Sequence, residues 1–391
     1  MRTCIFCAAS LMGLMGLVAE VAVAAENNSS LAPLTLAGNA AQIIQIAVDA
    51  EGLPFLLDDA GHVWATLGLG DSNRTQLLQI KGLEHIKKIV PYEALDDKGQ
   101  VFVWGMLNPV VDEMNSIIQT SYTSATKIMS LSGVTEVAHS FGHGFAVVNG
   151  NRIVTWEEVL GGEDEITKYG PIQEIYNGTK VRQLAAAAGP GPMNLIALLE
   201  DGAVVGWGIT EFGQASRKRT ERVELGKLPG ARGIDLNGMH TVVVSEDGIP
   251  LFWGGCDMDG YSIRGYKPWI WGHLSKVALA LQDVQAVSLA KDTGHGGDDN
   301  VSYDVFLKRD GTVWMTRPPI PPDAPESECG IFVDSESTIR TQQLVIGDAP
   351  AIQIAYGNGR VLVLDKQHRL WSWGNGDIKS NKIKLIELNL K

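Results

Sequence analysis

Two short stretches concentrate side chains that could hold a metal ion. GCDMDGYS places Asp257 and Asp259 two residues apart, and DTGHGGDDN places Asp292, His295, Asp298 and Asp299 in a glycine-rich run. Carboxylate oxygens at such spacing suit calcium. Neither stretch carries the full ligand count or the closing glutamate of a helix-loop-helix site, so solvated loops are the favoured reading and calcium the only cofactor considered. Downstream of the first 25 residues there is no G-x-S-x-G, H-E-x-x-H, C-x-x-C or phosphate loop. AGPGPMN has two glycines of a dinucleotide loop without the third, and reads as a turn. The chemistry on offer is therefore recognition, and the chain is expected not to be an enzyme.

Candidate anchors for a protein partner gather in CDMDGYSIRGYKPWIWGHL, which holds Tyr261, Tyr266, Trp269 and Trp271. Large aromatic side chains of this kind supply most of the energy at interfaces. Trp269 and Trp271 have a simpler use as filling for a strand, which leaves the tyrosines as the freer pair. A second departure, TRPPIPPDAPESECG, is rich in proline, which forbids ladder pairing and suits a semi-rigid exposed loop.

These stretches interrupt a repeat. An acidic or glycine-bearing turn followed by an apolar run to tryptophan recurs with turn positions at Gly61, Gly99, Asn151, Gly202, Gly248, Gly311 and His368. Those positions span 307 residues in six intervals, about 51 each, which suits a four-stranded propeller blade. Trp64, Trp314 and Trp371 fall three residues after the turn, and Trp104, Trp156, Trp207, Trp253 and Trp373 fall five after it. A separation of two places both slots on one face of a strand. Asp-Gly turns supply the positive φ of a tight hairpin. Ahead of each hairpin lies a strand of small and β-branched residues, such as QIAVDA and QLAAAAG, suited to a crowded axis, and after it a fourth alternating segment.

The expected fold is all-β: a single seven-bladed β-propeller over residues 31–391, with four-stranded blades at about 41–82, 83–133, 134–178, 179–230, 231–276, 277–348 and 349–391. The C-terminal KIKLIELNL is expected to complete blade seven, with Leu31 to Gly38 replacing it or packing beside it.

Bulk properties narrow the partners. The chain has 391 residues, 45% hydrophobic and 20% charged, with a formal net charge of −13. Residues 1–25 read as a secretory signal, with Arg2, an apolar run from Cys4 to Val18 and small residues before Glu26, so a secreted or periplasmic protein is expected. Nothing later is apolar for long enough to span a bilayer as a helix. The acidic balance argues against nucleic acid, and SRKRTER reads as a solvated loop. A monomer is expected. Cys256 and Cys329 remain after the leader, and the sequence leaves a disulfide and free thiols equally open.

LNGMHTVVVSEDGIPLFWGG and LLEDGAVVGWGITEFGQ, with a loop histidine ahead of the next strand, resemble the regulator of chromosome condensation repeat. The resemblance covers nearly everything after residue 40 but is degenerate, with the loop histidine kept at His240 and less clearly at His143. It implies the propeller fold and a bracing role for His240. The family's founding member is a nuclear exchange factor for a small GTPase; the leader and the acidic balance fit the family's bacterial secreted propellers better, one of which resembles an inhibitor of β-lactamases. The leading expectation is thus an exported propeller that binds a protein through loops at one end of the disk. The alternatives are an inhibitor of an exported enzyme and, in a different class, a polysaccharide-acting hydrolase or lyase.

Overall fold

A computed structural model describes residues 42–49, 52–67, 74–104, 109–111, 117–120, 124–140, 142–159, 168–187, 194–208, 222–237, 240–254, 275–276, 281–289, 304–317, 340–357, 360–373, 384–385 and 387–390. Residues 33–391 belong to one compact unit. All regular elements among the described residues are strands; seven small sheets form the blades of a seven-bladed propeller, and Pro109–Val111 and Ile117–Thr120 make a separate two-stranded ribbon.

Blade four shows why the repeat folds this way. Its strands, from the axis outward, are Val181–Ala186, Leu195–Leu199, Ala203–Trp207 and Val223–Lys227. The second strand, LIALL, is buried at every position. A sheet covered by neighbours on both faces needs a continuous apolar run rather than alternation. The innermost strands of the seven blades are Ile43–Val48, Ile86–Val90, Val134–Ser140, Val181–Ala186, Gly233–Leu236, Val284–Leu289 and Ala351–Gly357. Each lies against the next, and the seventh lies against the first, so the ring is closed.

The seam between blades seven and one is also closed at the rim. Lys384–Leu385 is the outer strand of blade seven, and Glu387–Leu390 continues across the seam to pair in parallel with Arg74–Gln79 of blade one. The C-terminal segment therefore does more than complete blade seven; it straps two blades together, which covers an exposed edge. Leu31 to Gly38 lies outside the described residues. In blade five the described part of the fourth strand is Ser275–Lys276, and Trp269 and Trp271 lie outside the described residues.

The recurrent turn is explained by the packing of one blade on the next. Gly61, Gly99, Gly202, Gly248 and Gly311 all have φ between +75° and +83°, and His368 takes φ +62° in the same place. In blade three the residue is Gly150, φ +78°, rather than Asn151. The Gly99, Gly150, Gly248 and Gly311 carbonyls each accept the amide that opens the next blade's innermost strand, from Val134, Val181, Val284 and Ala351. A Cβ on Gly311 would stand 2.2 Å from the Pro350 Cβ. Glycine is thus demanded by conformation and by the neighbouring blade together.

The two tryptophan slots share a face but do different work. Trp64 and Trp371, three after the turn, donate their indole N–H to the turn carboxylates of Asp58 and Asp365 at 3.0 and 2.8 Å. Trp104, Trp156 and Trp207 are fully buried wedges between their own blade and the one before. Trp207 stacks edge-on against Tyr176 of blade three, ring centroids 6.0 Å apart.

Candidate functional site: the loop-bearing end of the disk

Antiparallel strand order sorts the connections between the two ends of the disk. The hairpin turns and the links from one blade to the next gather at one end, the turn end. The connections from first to second strand and from third to fourth gather at the other. The described strand ends from which residues 209–221, 255–274, 290–303 and 318–339 depart all belong to that second end. Tyr261, Tyr266, Trp269, Trp271, Asp257 and Asp259 fall in the second of these segments and His295, Asp298 and Asp299 in the third. All nine lie outside the described residues, as do Cys256 and Cys329, so the geometry brings none of them together or apart. His240 opens the second strand of blade five.

What the structure does describe at this end is a concentration of buried polar side chains. Fourteen polar or charged residues are buried among those described. Three of them, Asp58, Asp96 and Asp365, cap hairpins at the turn end, each accepting amides from two and four residues on. The remaining eleven stand toward the loop-bearing end. Burying a polar group without a partner costs about 1–3 kcal/mol, so such a set has to be held by specific bonds.

Some of those bonds stay within a blade, as from the Thr155 hydroxyl to the Gly144 carbonyl and from the Asp304 amide to the Thr316 hydroxyl, and others run from blade to blade. The Tyr92 hydroxyl of blade two donates to Asp49 of blade one at 2.5 Å, and Asp49 also accepts the Leu53 amide at 2.7 Å. The Ser140 hydroxyl donates to the Ala187 carbonyl, joining blades three and four at 2.7 Å. The Leu289 amide donates to Asp235 at 2.8 Å and the Tyr356 amide to the Ser288 oxygen at 3.0 Å, which bind blade six to its two neighbours. Asp235 and Ser288 occupy the same place in their repeats.

Glu93 is a fully buried carboxylate at the start of the second strand of blade two. It sits beside Gly144 and Trp156 of blade three. A Cβ on Gly144 would come within 2.2 Å of both side chains, so this glycine is fixed by space alone. Arg360 opens the second strand of blade seven at the same end, and burial pushes its guanidinium below the usual arginine range. No carboxylate among the described residues pairs with it.

The arrangement braces loops. No group of three or more potential metal ligands occurs among the described residues. The staples Asp49–Tyr92 and Asp235–Leu289 escaped sequence reading because each joins residues far apart in the chain, whose positions face one another only once two blades have packed.

No protein-family model matches the chain. Over 265 residues it is 25% identical to the E3 ubiquitin-protein ligase HERC2 of Homo sapiens and to that of Mus musculus. The match covers 62% of this chain and 5% of each relative, so the chain spans a small part of their length. Among solved structures it is similar to human WBSCR16, with a TM-score of 0.52, 16% identity and coverage of 83% of this chain and 87% of that one. It is also similar to Prp20p from Saccharomyces cerevisiae, whose structure is described with its binding to Gsp1p and histones; the TM-score is 0.49 at 17% identity, covering 75% of this chain and 74% of that one. The sequence match and the shared propeller support the resemblance to the regulator of chromosome condensation repeat.

Proposed function

We propose that this chain, a propeller of regulator of chromosome condensation repeats, is an exported, non-catalytic module that binds another protein through the loop-bearing end of its disk. The observation that carries the reading is the asymmetry between the ends. The long departures from the repeat leave from one end only, and the strand ends beneath them are stapled from blade to blade by buried polar bonds. A rigid scaffold presenting variable loops is how propellers bind without changing fold. Arg360 supports the same reading: a half-buried guanidinium at that end is suited to a carboxylate of the partner. Export rests on the character of residues 1–25.

The test is affinity capture from exported extract with the mature protein as bait. A second bait has residues 255–274 and 318–339 replaced by short turns. A partner retained by the first bait and lost by the second is expected. Equal capture by both, or none by a folded native bait, would remove the loop-bearing end from the account.

A further inference from the structure

The opposite end of the disk carries a different surface at the mouth of the ring. Six innermost strands bulge after their first residue, as at Val181/Gln183. The second residue of this register therefore leaves the ladder close to the turn end. Around the closed ring these residues are Ile44, Lys87, Thr135, Arg182, Arg232 and Gln285, and then Ile352 of blade seven. All are exposed except Arg232, which is half-buried.

In a chain of net charge −13, this ring holds three cations and no carboxylate. One residue further out, Lys180 of blade four and Asp283 of blade six cancel, and the acidic residues Asp97 and Glu200 stand outside the ring at the ends of the second strands, their amides bonded to the His85 and Lys180 carbonyls. Lys87 and Arg232 form no ion pair among the described residues, and Arg182 donates to the Ala231 carbonyl of the next blade at 2.6 Å. On the other side of the mouth, Ile352 and Ile44 come from the adjoining blades seven and one, each 43% exposed. They are two of the four exposed large hydrophobics among the described residues. The mouth thus has a cationic arc over blades two, four and five and an apolar arc over blades seven and one.

We propose that this mouth is a second docking surface, which takes an extended acidic segment of a protein partner carrying an aliphatic side chain beside its carboxylates. The carboxylates face Lys87, Arg182 and Arg232, and the aliphatic group covers Ile44 and Ile352. Complementary charge sets the sign of the ligand, and the apolar arc separates such a segment from a simple anion. The surface does not depend on the loop-bearing end.

The test uses the full mature chain and a labelled, capped peptide of alternating glutamate and leucine, read by fluorescence anisotropy. Binding is expected, weakening about tenfold as salt rises from about 0.05 to about 0.5 M. Lys87→Glu with Arg232→Glu should lower affinity at least about tenfold, while Arg182 is kept because it spans a seam. Ile352→Ser should lower it severalfold without changing the salt dependence. The bait with residues 255–274 and 318–339 replaced should bind the peptide undiminished, which separates failure here from failure of the loop-bearing end. Thermal melts of the charge-reversed protein establish that it remains folded. Equal binding of a lysine-leucine peptide, undiminished binding by the folded double variant, or binding of anionic phospholipid vesicles or inorganic phosphate in place of the peptide would each overturn the proposal.

Discussion

The turn end and the loop-bearing end are built from the same repeats, yet they bury polar groups for different reasons. At the turn end each buried aspartate closes its own hairpin over a few residues, as Asp365 does by accepting the Gln367 and Arg369 amides. At the loop-bearing end four of the bonds reach across blades, as from Tyr92 to Asp49. Local caps let each turn be short and self-sufficient. Long-range staples fix strand ends relative to one another, which is what a surface assembled from several blades needs.

The largest expected effect tests the wedges beneath the loop-bearing end. Trp207→Ala should cost about 3–5 kcal/mol in urea unfolding, because the side chain is fully buried between blades three and four. A cost near that of a surface change would mean the blades do not depend on these wedges.

A matched pair of glycines sharpens the turn-end side. Gly311→Ala should cost about 1–3 kcal/mol, since φ is +79° and the new Cβ meets Pro350. Gly150→Ala has φ +78° with nothing within 4 Å, and should cost about 1 kcal/mol from conformation alone. Equal costs would show that blade-to-blade contact at the turns contributes nothing.

The seams near the middle of the innermost strands offer a comparison of intermediate size. The Gln45, Gln183 and Gln353 side chains each exchange two hydrogen bonds with the next blade's backbone, at Ile89, Ile234 and Ile46. A Lys88–Glu136 ion pair takes this place between blades two and three. Blades five and six have Gly233 and Ala286 there instead. Gln183→Ala should cost about 1–2 kcal/mol, and Ala286→Gln should gain up to about 1 kcal/mol by reaching the Ile354 backbone. Thermal melts that move in the same direction for both would contradict this account of the seams.

The smallest effect is acid sensitivity at the turns. The Thr312 hydroxyl bonded to Asp310 holds its carboxyl below the ordinary value, and Arg369 does the same for Asp348. A depressed carboxyl contributes stability above its unfolded pKa and loses it as pH falls through the lower folded value. Stability should therefore be level near neutrality and decline below about pH 4. Asp310→Asn, at a largely exposed site, should change it by no more than a few tenths of a kcal/mol at pH 7. The difference should vanish in strong acid; a persistent one would place its cause outside ionisation.

The propeller was legible in sequence because its signal is local and repeated. A turn glycine, a tryptophan a fixed distance on and an apolar second strand all lie within one hairpin. The division of labour between the tryptophan slots was not, since the turn carboxylate beside Trp64 and the neighbouring blade around Trp207 take their places only in the packed fold. The glutamine clamps were visible as Gln45, Gln183 and Gln353 at one register, but their partners lie in the following blade. Glu93 gave no signal, because its place beside Gly144 and Trp156 exists only once two blades have packed. The aromatic candidates in blade five lie where the chain departs from its repeat, and a repeat offers no register for residues it does not contain.

The central claim is that recognition belongs to the loop-bearing end, and an amide hydrogen-exchange footprint of the partner-bound protein tests it most directly. Added protection is expected at the strand ends around Glu93, Gly144, Thr241 and Arg360, with the hairpin turns at Gly61, Gly99 and Gly202 unchanged. Protection confined to those turns, with the loop-bearing strand ends exchanging as in the free protein, would contradict the account.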